Sequence, residues 1–283
     1  TGPLSEHVAG HLSFYTDERD GFVENTLTGN DLRDEDTQSA RAGLVWDASE
    51  TLSVSWNWDA SKVRESGVGR VINGEPLFAS PVLTPSLNDR DKTDTQNDGY
   101  TDRDVWGTSL KVEWEQDYGT WTSVTGYRTS DYEFTDDLVP ALELSGFNLN
   151  YLTNFTEEQE KQFSQELRLA SNGEGAFEWT AGLYYFKDDI DRLELWDSVA
   201  LGGGIGQVDA TNKTESKAVF GQLSYNLEDW RFTVGGRYTR ETKEATLVGE
   251  GVEPLYLQLF SDFDAKADKS WNNFSGKLSV DYT

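Results

Sequence analysis

Residues 177–187 read Phe-Glu-Trp-Thr-Ala-Gly-Leu-Tyr-Tyr-Phe-Lys and carry the pattern on which the fold assignment rests. Apolar side chains occupy every second position from Phe177 to Tyr185 and alternate with residues such as Glu178 and Thr180. This period of two is that of a β-strand, because successive side chains of a strand point to opposite faces. The same alternation recurs in four further stretches, 51–59, 162–169, 230–239 and 274–282. Since helical periodicity is not found over a comparable length, the chain is predicted to be all-β and antiparallel.

The alternation and the turn signals between the alternating stretches predict ten strands. They run over 7–24, 36–47, 51–65, 104–117, 120–136, 160–171, 176–195, 214–227, 230–246 and 270–283. Strands of soluble proteins usually have about five or six residues, whereas a strand tilted across a bilayer needs about 9–11 residues in the apolar region alone. The predicted lengths therefore favour hairpins that cross a membrane.

The connections between the predicted strands alternate in length. Short turns at 47–50, 117–119, 171–175 and 228–229 alternate with long connections at 25–35, 66–103, 137–159, 196–213 and 247–269. Aromatic residues flank the short turns: Trp46, Trp114, Tyr118, Trp121, Phe177, Trp179, Tyr225 and Trp230. Both features are typical of an outer-membrane β-barrel, with short periplasmic turns, long extracellular loops and a girdle of aromatic rings at the membrane interface. The alternative is a soluble β-sandwich with aromatic residues at its rim.

Composition excludes several classes of function. The chain has 24 Lys and Arg against 51 Asp and Glu, a formal charge of −27. Nucleic acid is therefore not an expected partner, because phosphate binding relies on Lys and Arg. The absence of Cys excludes disulfides, thiol nucleophiles and zinc ribbons. The longest apolar run, 181–186, is far shorter than the roughly 20 residues of a transmembrane helix.

A series of short motifs resembles the barrel strands of TonB-dependent outer-membrane receptors. Characteristic examples are Ser-Val-Thr-Gly-Tyr-Arg at 123–128 and Phe-Ser-Gln-Glu-Leu-Arg-Leu-Ala at 163–170. The other motifs follow in the order typical of the family, at 2–9, 19–25, 34–41, 177–186, 220–225, 231–240 and 271–278. Each motif is weak by itself, and their order and spacing over essentially the whole chain carry the resemblance.

The resemblance implies an antiparallel transmembrane β-barrel, usually of about 22 strands with a plug domain inside. Residues 1–283 then form a partial barrel domain of about ten strands, or five hairpins. The plug domain, the TonB box and the C-terminal barrel strands are expected to lie outside this sequence. The alternative is a complete ten-stranded barrel that closes on itself.

The function implied by the resemblance is uptake of a scarce ligand, such as a siderophore, haem, a vitamin or an oligosaccharide, across the outer membrane of a Gram-negative bacterium. The expected partners are outer-membrane lipid and lipopolysaccharide, the TonB protein through the missing N-terminal segment, and the small-molecule ligand. No catalytic residue and no cofactor are expected. The alternatives are a passive porin or channel, a barrel enzyme such as an outer-membrane protease, and a soluble adhesive β-protein.

The long connection around 88–104 holds the one candidate metal site. Oxygen ligands at alternate positions beside a Gly turn suit a hard cation, so Asp91, Asp94, Asn97 and Asp98 form a candidate Ca²⁺ loop. Their spacing departs from that of an EF-hand. The alternative is a solvated loop that shares divalent cations with lipopolysaccharide. Residues that bind the transported ligand cannot be named from the sequence.

Six Arg residues are candidates for the polar interior of the barrel: Arg33, Arg41, Arg128, Arg168, Arg231 and Arg237. Such guanidinium groups are expected to pair with the abundant carboxylates or with a plug. Contact with an anionic ligand is the alternative.

Overall fold

The computed structural model describes residues 1–70, 89–137, 153–173, 175–197, 206–251 and 262–282, together with the backbone of 83–85, 142–144 and 147–148. Ten long strands form its main sheet. We number them in chain order: β1 Val8–Arg19, β2 Glu35–Ser49, β3 Leu52–Ser66, β4 Tyr100–Gln116, β5 Gly119–Asp137, β6 Thr153–Ala170, β7 Phe177–Asp197, β8 Gly206–Leu227, β9 Trp230–Gly251 and β10 Phe263–Tyr282.

Each long strand pairs in antiparallel register with the next strand along the chain, from β1 with β2 to β9 with β10. Gly2–Pro3 adds a short eleventh strand by pairing with Gly10 and Ala9. Among the described residues β1 and β10 do not pair with each other, so the sheet is open. The alternative of a ten-stranded barrel that closes on itself is therefore not what the structure shows.

The ten predicted strands are all present, but most extend farther toward the long connections than predicted. The strand starts that differ most are Tyr100 instead of 104, Thr153 instead of 160, Gly206 instead of 214 and Phe263 instead of 270. These extensions, such as Thr-Asn-Phe-Thr-Glu-Glu-Gln-Glu at 153–160, are mostly polar on both faces. They lack the alternation that marks a half-apolar strand, yet their backbones continue to pair.

The first strand differs in the opposite direction. It ends at Arg19 rather than at 24, because Val23–Asn25 leaves the main sheet and pairs with Asp31–Leu32 instead.

The two ends of the long strands differ in their connections. We call the end of the sheet that carries the short turns the turn end, and the opposite end the loop end.

One face of the main sheet is apolar and exposed. Leu183 is 58% exposed, Phe274 71% and Leu278 83%. The buried apolar side chains of the described residues are only Val23, Leu32, Val63 and Ala218. A soluble domain does not leave its large apolar side chains in water while burying so few. This face therefore has the character of a lipid-facing barrel surface. Among the described residues no helix is long and apolar enough to span a membrane.

The short turns are tied to one another along the turn end. The Asn172 side chain donates to the backbone carbonyls of Gln116 and Asp117, at 2.9 and 3.3 Å. Gly119 adopts a φ of 156°, and a Cβ there would lie 2.3 Å from the Ala170 carbonyl oxygen. Only glycine fits this close approach without strain. Gly119 therefore allows the start of β5 to lie close to the end of β6.

Candidate functional site

Most aromatic rings of the apolar face on β4 to β10 lie at two depths. The first set, the turn-end girdle, contains the predicted Trp114, Trp121, Phe177, Tyr225 and Trp230, and it also contains Tyr282, which was not predicted. Ring centroids in this girdle approach to 4.8 Å in two cross-strand pairs, Phe177 with Tyr225 and Trp230 with Tyr282.

The second set, the loop-end girdle, was not predicted from the sequence. It consists of Trp106, Tyr127, Phe163, Tyr185, Tyr238 and Phe274 on the same face. Trp106 and Tyr127 have ring centroids 5.4 Å apart, and those of Phe163 and Tyr185 are 6.1 Å apart. Two girdles bracket the apolar band of an outer-membrane barrel.

The overlooked signal is a spacing of eight residues that recurs within several strands. It separates Phe177 from Tyr185 and Trp230 from Tyr238. Eight residues span about 26 Å along a strand, or about 20 Å along the membrane normal at a tilt near 40°. This distance is close to the roughly 25 Å height of the apolar band in outer-membrane barrels.

The polar face of the sheet, opposite the girdles, carries the predicted Arg residues in ordered contacts. Arg128 donates through Nη2 to both carboxylate oxygens of Asp59, at 2.7 and 2.8 Å. The guanidinium crosses β4 above Gly107, where a Cβ would lie 2.9 Å from the Arg128 Nη2. A glycine at this position therefore lets a charge on β5 reach a charge on β3.

Two further Arg residues of the polar face pair with carboxylates. Arg231 forms two hydrogen bonds with Glu178, at 3.0 and 2.7 Å, and Asn226 donates to the same carboxylate at 2.7 Å. Arg168 lies 3.7 Å from Glu166. The predicted pairing of lumenal Arg with acidic side chains is thus present at these positions.

Arg237 and Arg33 have other surroundings. The Arg237 guanidinium lies 5.1 Å from the ring centroid of Tyr184 and 5.8 Å from that of Phe220 on the polar face. Arg33 is not on a long strand. It adopts a φ of 63° in the first long connection and donates to the carbonyl oxygens of Val68 and Gly69. The assignment of Arg33 to the barrel interior is therefore corrected.

The loop end carries a second folded unit, which we call the loop cluster. Its small sheet consists of Asp31–Leu32, Val23–Asn25 and Lys92–Thr93, with the last pair parallel. Val23 is fully buried and Leu32 is 1% exposed. The cluster thus has its own apolar centre, which joins the first long connection to the second.

Asn25 connects the two loops by hydrogen bonds. Its side chain is fully buried and donates to the carbonyl oxygen of Thr95 at 2.8 Å and to Asp98 Oδ1 at 2.7 Å. Asp98 also accepts from the Thr28 hydroxyl and from the Asn30 amide, each at 2.6 Å. Asp98 is therefore an acceptor for three side chains of the first loop.

The loop end of β5 supplies two buried carboxylates beneath the cluster. Asp137 accepts from the Asn97 backbone N–H at 2.9 Å and from the Thr153 hydroxyl at 2.6 Å. Asp136 is 1% exposed and accepts from Arg70 Nε at 2.5 Å. Burial raises the pKa of the Asp136 carboxyl above its usual range, although the Arg70 guanidinium acts in the opposite direction.

The four residues of the candidate Ca²⁺ loop occupy different places in this unit. Asp98 and Asn97 lie at its centre, with Asn97 donating to the Thr135 hydroxyl at 3.2 Å. Asp94 is 5% exposed, and Asp91 accepts through its carbonyl oxygen from the Glu24 N–H at 2.9 Å. In the described part of the chain no three His, Cys, Asp or Glu side chains are grouped to hold a metal ion. Ca²⁺ binding stays a prediction.

The fold is similar to that of solved outer-membrane receptor structures. The chain matches the ferric yersiniabactin uptake receptor FyuA of Yersinia pestis with a TM-score of 0.75 at 17% identity, over 99% of this chain and 41% of that one. It matches the closed form of the ferric-catecholate import receptor Fiu of E. coli K12 with a TM-score of 0.59 at 11% identity, over 98% of this chain and 44% of that one. The open form of Fiu gives 0.56 at 12% identity, over 98% and 48%.

The chain thus spans about two fifths of the length of these receptors. No curated protein sequence is significantly similar to it. The family model described as TonB dependent receptor-like, beta-barrel, matches residues 59–283, well over half of the chain. Members of this family are transporters of the Gram-negative outer membrane rather than enzymes. With its open antiparallel sheet, its two girdles and this match, the chain belongs to the TonB-dependent receptor β-barrel family.

Proposed function

We propose that the chain is part of an energised uptake receptor that captures a scarce ligand outside the cell and admits it through the barrel lumen. The family match over 59–283 is the observation that carries this proposal. The sheet geometry supports it, because the apolar face suits lipid while the opposite face offers ordered charge to the lumen.

The loop cluster suits the role of ligand capture at the extracellular surface. Its two loops are held by a buried polar network around Asn25 and Asp98 rather than by a large apolar core. A polar network of this kind positions loop atoms while it leaves donors and acceptors nearby for a ligand.

The proposed ligand class is a ferric siderophore. The two structurally similar receptors are a ferric yersiniabactin uptake receptor and a ferric-catecholate import receptor. Because a likeness at 17% and 11% identity concerns the fold, haem, vitamins and oligosaccharides are the other ligand classes to test.

The full-length protein, in this proposal, contains a plug domain, a TonB box and further barrel strands beyond residues 1–283. Energy reaches the plug from the inner membrane through TonB. An uncoupler of the proton gradient should then abolish uptake while leaving ligand binding intact.

Ligand binding is measured on the purified full-length protein by quenching of its Trp fluorescence, since this part alone has 10 Trp. Ferric yersiniabactin, a ferric catecholate, haem and cobalamin serve as probes. Saturable quenching by a ferric siderophore, together with growth of a receptor-complemented strain on that iron source, is the expected result. Quenching by neither ferric siderophore would refute the proposed ligand class.

The competing function is a passive porin, which uses the same apolar band and polar lumen. Steady ion conductance of the full-length protein in planar bilayers, unchanged by ligand, would favour the porin. A receptor with its plug in place should stay closed under the same conditions.

A further inference from the structure

The polar face of the sheet, which lines the lumen in the proposed receptor, is unevenly charged. The even-numbered positions of β6 and β7 place six carboxylates and two Arg side chains on this face. The described residues of β8 place no charged side chain there. The odd-numbered positions of β9 and β10 reverse the balance, with two carboxylates and five cations: Arg231, Arg237, Lys243, Lys269 and Lys277. We call the polar side of β6 and β7 the acidic wall and that of β9 and β10 the basic wall.

Both cations of the acidic wall are neutralised by carboxylates of the same wall. Arg168 lies 3.7 Å from Glu166, and Arg192 forms ion pairs with Glu158 and Glu194. The acidic wall therefore keeps a net negative charge. An anion that enters the lumen is repelled from this side.

Three cations of the basic wall, Arg237, Lys269 and Lys277, have no ion-pair partner in the described part of the chain. They contact neutral groups instead. Lys277 Nζ donates to the Gln222 side chain at 3.3 Å, and Lys269 Nζ lies 5.3 Å from the ring centroid of Trp271. The Arg237 guanidinium lies over two aromatic rings. Since neutral contacts leave the positive charge in place, these side chains are able to bind an anion.

Lys243 and Lys269 form an outer pair on the basic wall. They are direct partners in the register of β9 and β10, and like charges at directly opposed positions destabilise a sheet. Glu241 lies 3.7 Å from Lys243, but an ion pair as exposed as this one contributes little. An anion between the two ammonium groups would relieve their repulsion.

Arg237 and Lys277 form an inner pair nearer the turn end. They lie seven residues from Trp230 and five from Tyr282, whereas each member of the outer pair lies thirteen residues from the turn-end residue of its strand. Five to seven residues rise about 13–18 Å along the membrane normal at a tilt near 40°, and thirteen rise about 33 Å. The inner pair is therefore within the roughly 25 Å apolar band, and the outer pair is beyond its extracellular edge.

We propose that the basic wall is the route along which an anionic ligand moves from the outer mouth into the lumen. Anionic oxygens of the ligand contact the outer pair first and the inner pair next, while the acidic wall directs the ligand toward β9 and β10. This inference rests on the proposed uptake function and adds to it the charge of the ligand and its path. A ferric catecholate is a suitable probe, because its catecholate oxygens carry more negative charge than the iron neutralises.

The first measurement separates binding from transport in cells that express the full-length protein. The variant Arg237→Gln with Lys277→Gln removes the inner pair alone. Binding of the ferric catecholate to cells treated with an uncoupler should stay at the wild-type level. Iron uptake by energised cells should slow by at least about tenfold, as expected for the loss of one hydrogen bond to a charged group. The variant Arg237→Lys with Lys277→Arg keeps both charges and should retain uptake.

The matched control is Arg168→Gln with Arg192→Gln on the acidic wall. It has the same change of net charge on the same face, and its exposed ion pairs contribute little, so uptake should equal that of wild type. Equal uptake by wild type and the inner-pair variant would overturn the proposal, and so would an equal loss in the control. Steady ion conductance that appears only in the inner-pair variant would also overturn it, since these cations would then hold a plug domain in place.

The second measurement needs neither a transported ligand nor a change at the inner pair. Trp271 lies beside Lys269, so its fluorescence, obtained as the difference between wild type and Trp271→Phe, reports ions at the outer pair. Iodide and caesium ions serve as the anionic and cationic quenchers of the purified full-length protein. The ratio of iodide to caesium quenching should fall several-fold in Lys243→Gln with Lys269→Gln.

A quenching ratio that this double variant leaves unchanged would overturn the route along the basic wall. Folding of every variant is checked by heat-dependent mobility on gels, and the quenching measurement decides the proposal if the inner-pair variant does not fold. If wild type does not bind the ferric catecholate, the proposed ligand class fails, whereas the quenching ratio still decides whether the basic wall attracts anions.

Discussion

Replacement of Asn25 by Ala should open the loop cluster without unfolding the barrel. The fully buried amide donates to the Thr95 carbonyl and to the Asp98 carboxylate, and its oxygen accepts from the Leu27 N–H at 3.1 Å. Alanine keeps none of these bonds and leaves buried partners without a donor or acceptor.

The expected magnitude follows from the three lost bonds. Each of the two neutral bonds contributes about 1 kcal/mol, and the bond to the carboxylate about 1.5–3 kcal/mol. The free energy of local opening should therefore fall by about 3.5–5 kcal/mol. Amide exchange through this opening then speeds up by at least about two orders of magnitude, since 1.4 kcal/mol corresponds to a factor of ten.

Hydrogen exchange of the full-length protein in detergent measures this effect. The informative amides are those of Glu24, bonded to the Asp91 carbonyl at 2.9 Å, and Thr26, bonded to the Thr93 carbonyl at 2.8 Å. Main-sheet amides near the turn end should exchange as in wild type, because the cluster shares few contacts with them.

The matched control is Asn172→Ala. The Asn172 amide also donates to backbone carbonyls, but it is exposed and lies at the opposite end of the sheet. It should leave exchange in the loop cluster unchanged. Exchange at Glu24 and Thr26 that is less than tenfold faster in Asn25→Ala would refute the assignment of Asn25 as the link between the two loops.

Three further predictions concern packing, pH and metal. Gly182→Ala should lower the free energy of unfolding of the barrel by about 1–3 kcal/mol, because a Cβ at this position would lie 2.4 Å from the Phe220 ring. The control is Gly276→Ala, whose Cβ would make an ordinary contact at 3.6 Å. Heat-dependent mobility on gels measures both variants. Burial raises the pKa of the Asp136 carboxyl. The stability that protonated Asp136 gives the loop cluster is therefore complete below the ordinary carboxyl pKa and is lost as the pH rises through the raised native pKa. Exchange protection of the loop cluster should fall over this pH range, and Asp136→Asn should remove the pH dependence. The Ca²⁺ hypothesis predicts that a Ca²⁺ chelator lowers exchange protection of 89–99 and that Asp94→Asn removes this effect; protection that does not respond to the chelator would show the hypothesis to be wrong.

The strands near the turn end could be predicted from the sequence because one face must meet lipid. In β3, the alternation from Leu52 to Trp58 reflects a requirement of the membrane, and the predicted strand differs from the observed one by a single residue at each end. Beyond the apolar band this requirement disappears. The backbone of 153–160 continues to pair with β5 and β7, but no side-chain pattern reports it.

The loop cluster could not be predicted for a different reason. Asn25 and Asp98 are 73 positions apart in sequence and meet only because β1, β2, β3 and β4 bring their loops to the same end of the sheet. Sequence reasoning correctly found the acidic segment that contains Asp98 and interpreted it through cation chemistry. In the structure the Asp98 carboxylate accepts hydrogen bonds from three side chains of the first loop, and the Ca²⁺ site stays a prediction.

Depth in the membrane is the coordinate that organises the charges of this sheet, and it differs from register. Strands of a barrel are tilted and sheared, so hydrogen-bonded partners lie at different depths. Lys161 pairs in register with Asp189, but counted from the short turns it shares its depth with Lys187. Read along the register, these charges look like ordinary mixed pairs, apart from the like-charged pair of Lys217 and Arg240. Read by depth, they separate into a cationic layer that includes Lys187 and Lys217 and an acidic layer farther from the turns that includes Asp189 and Glu215.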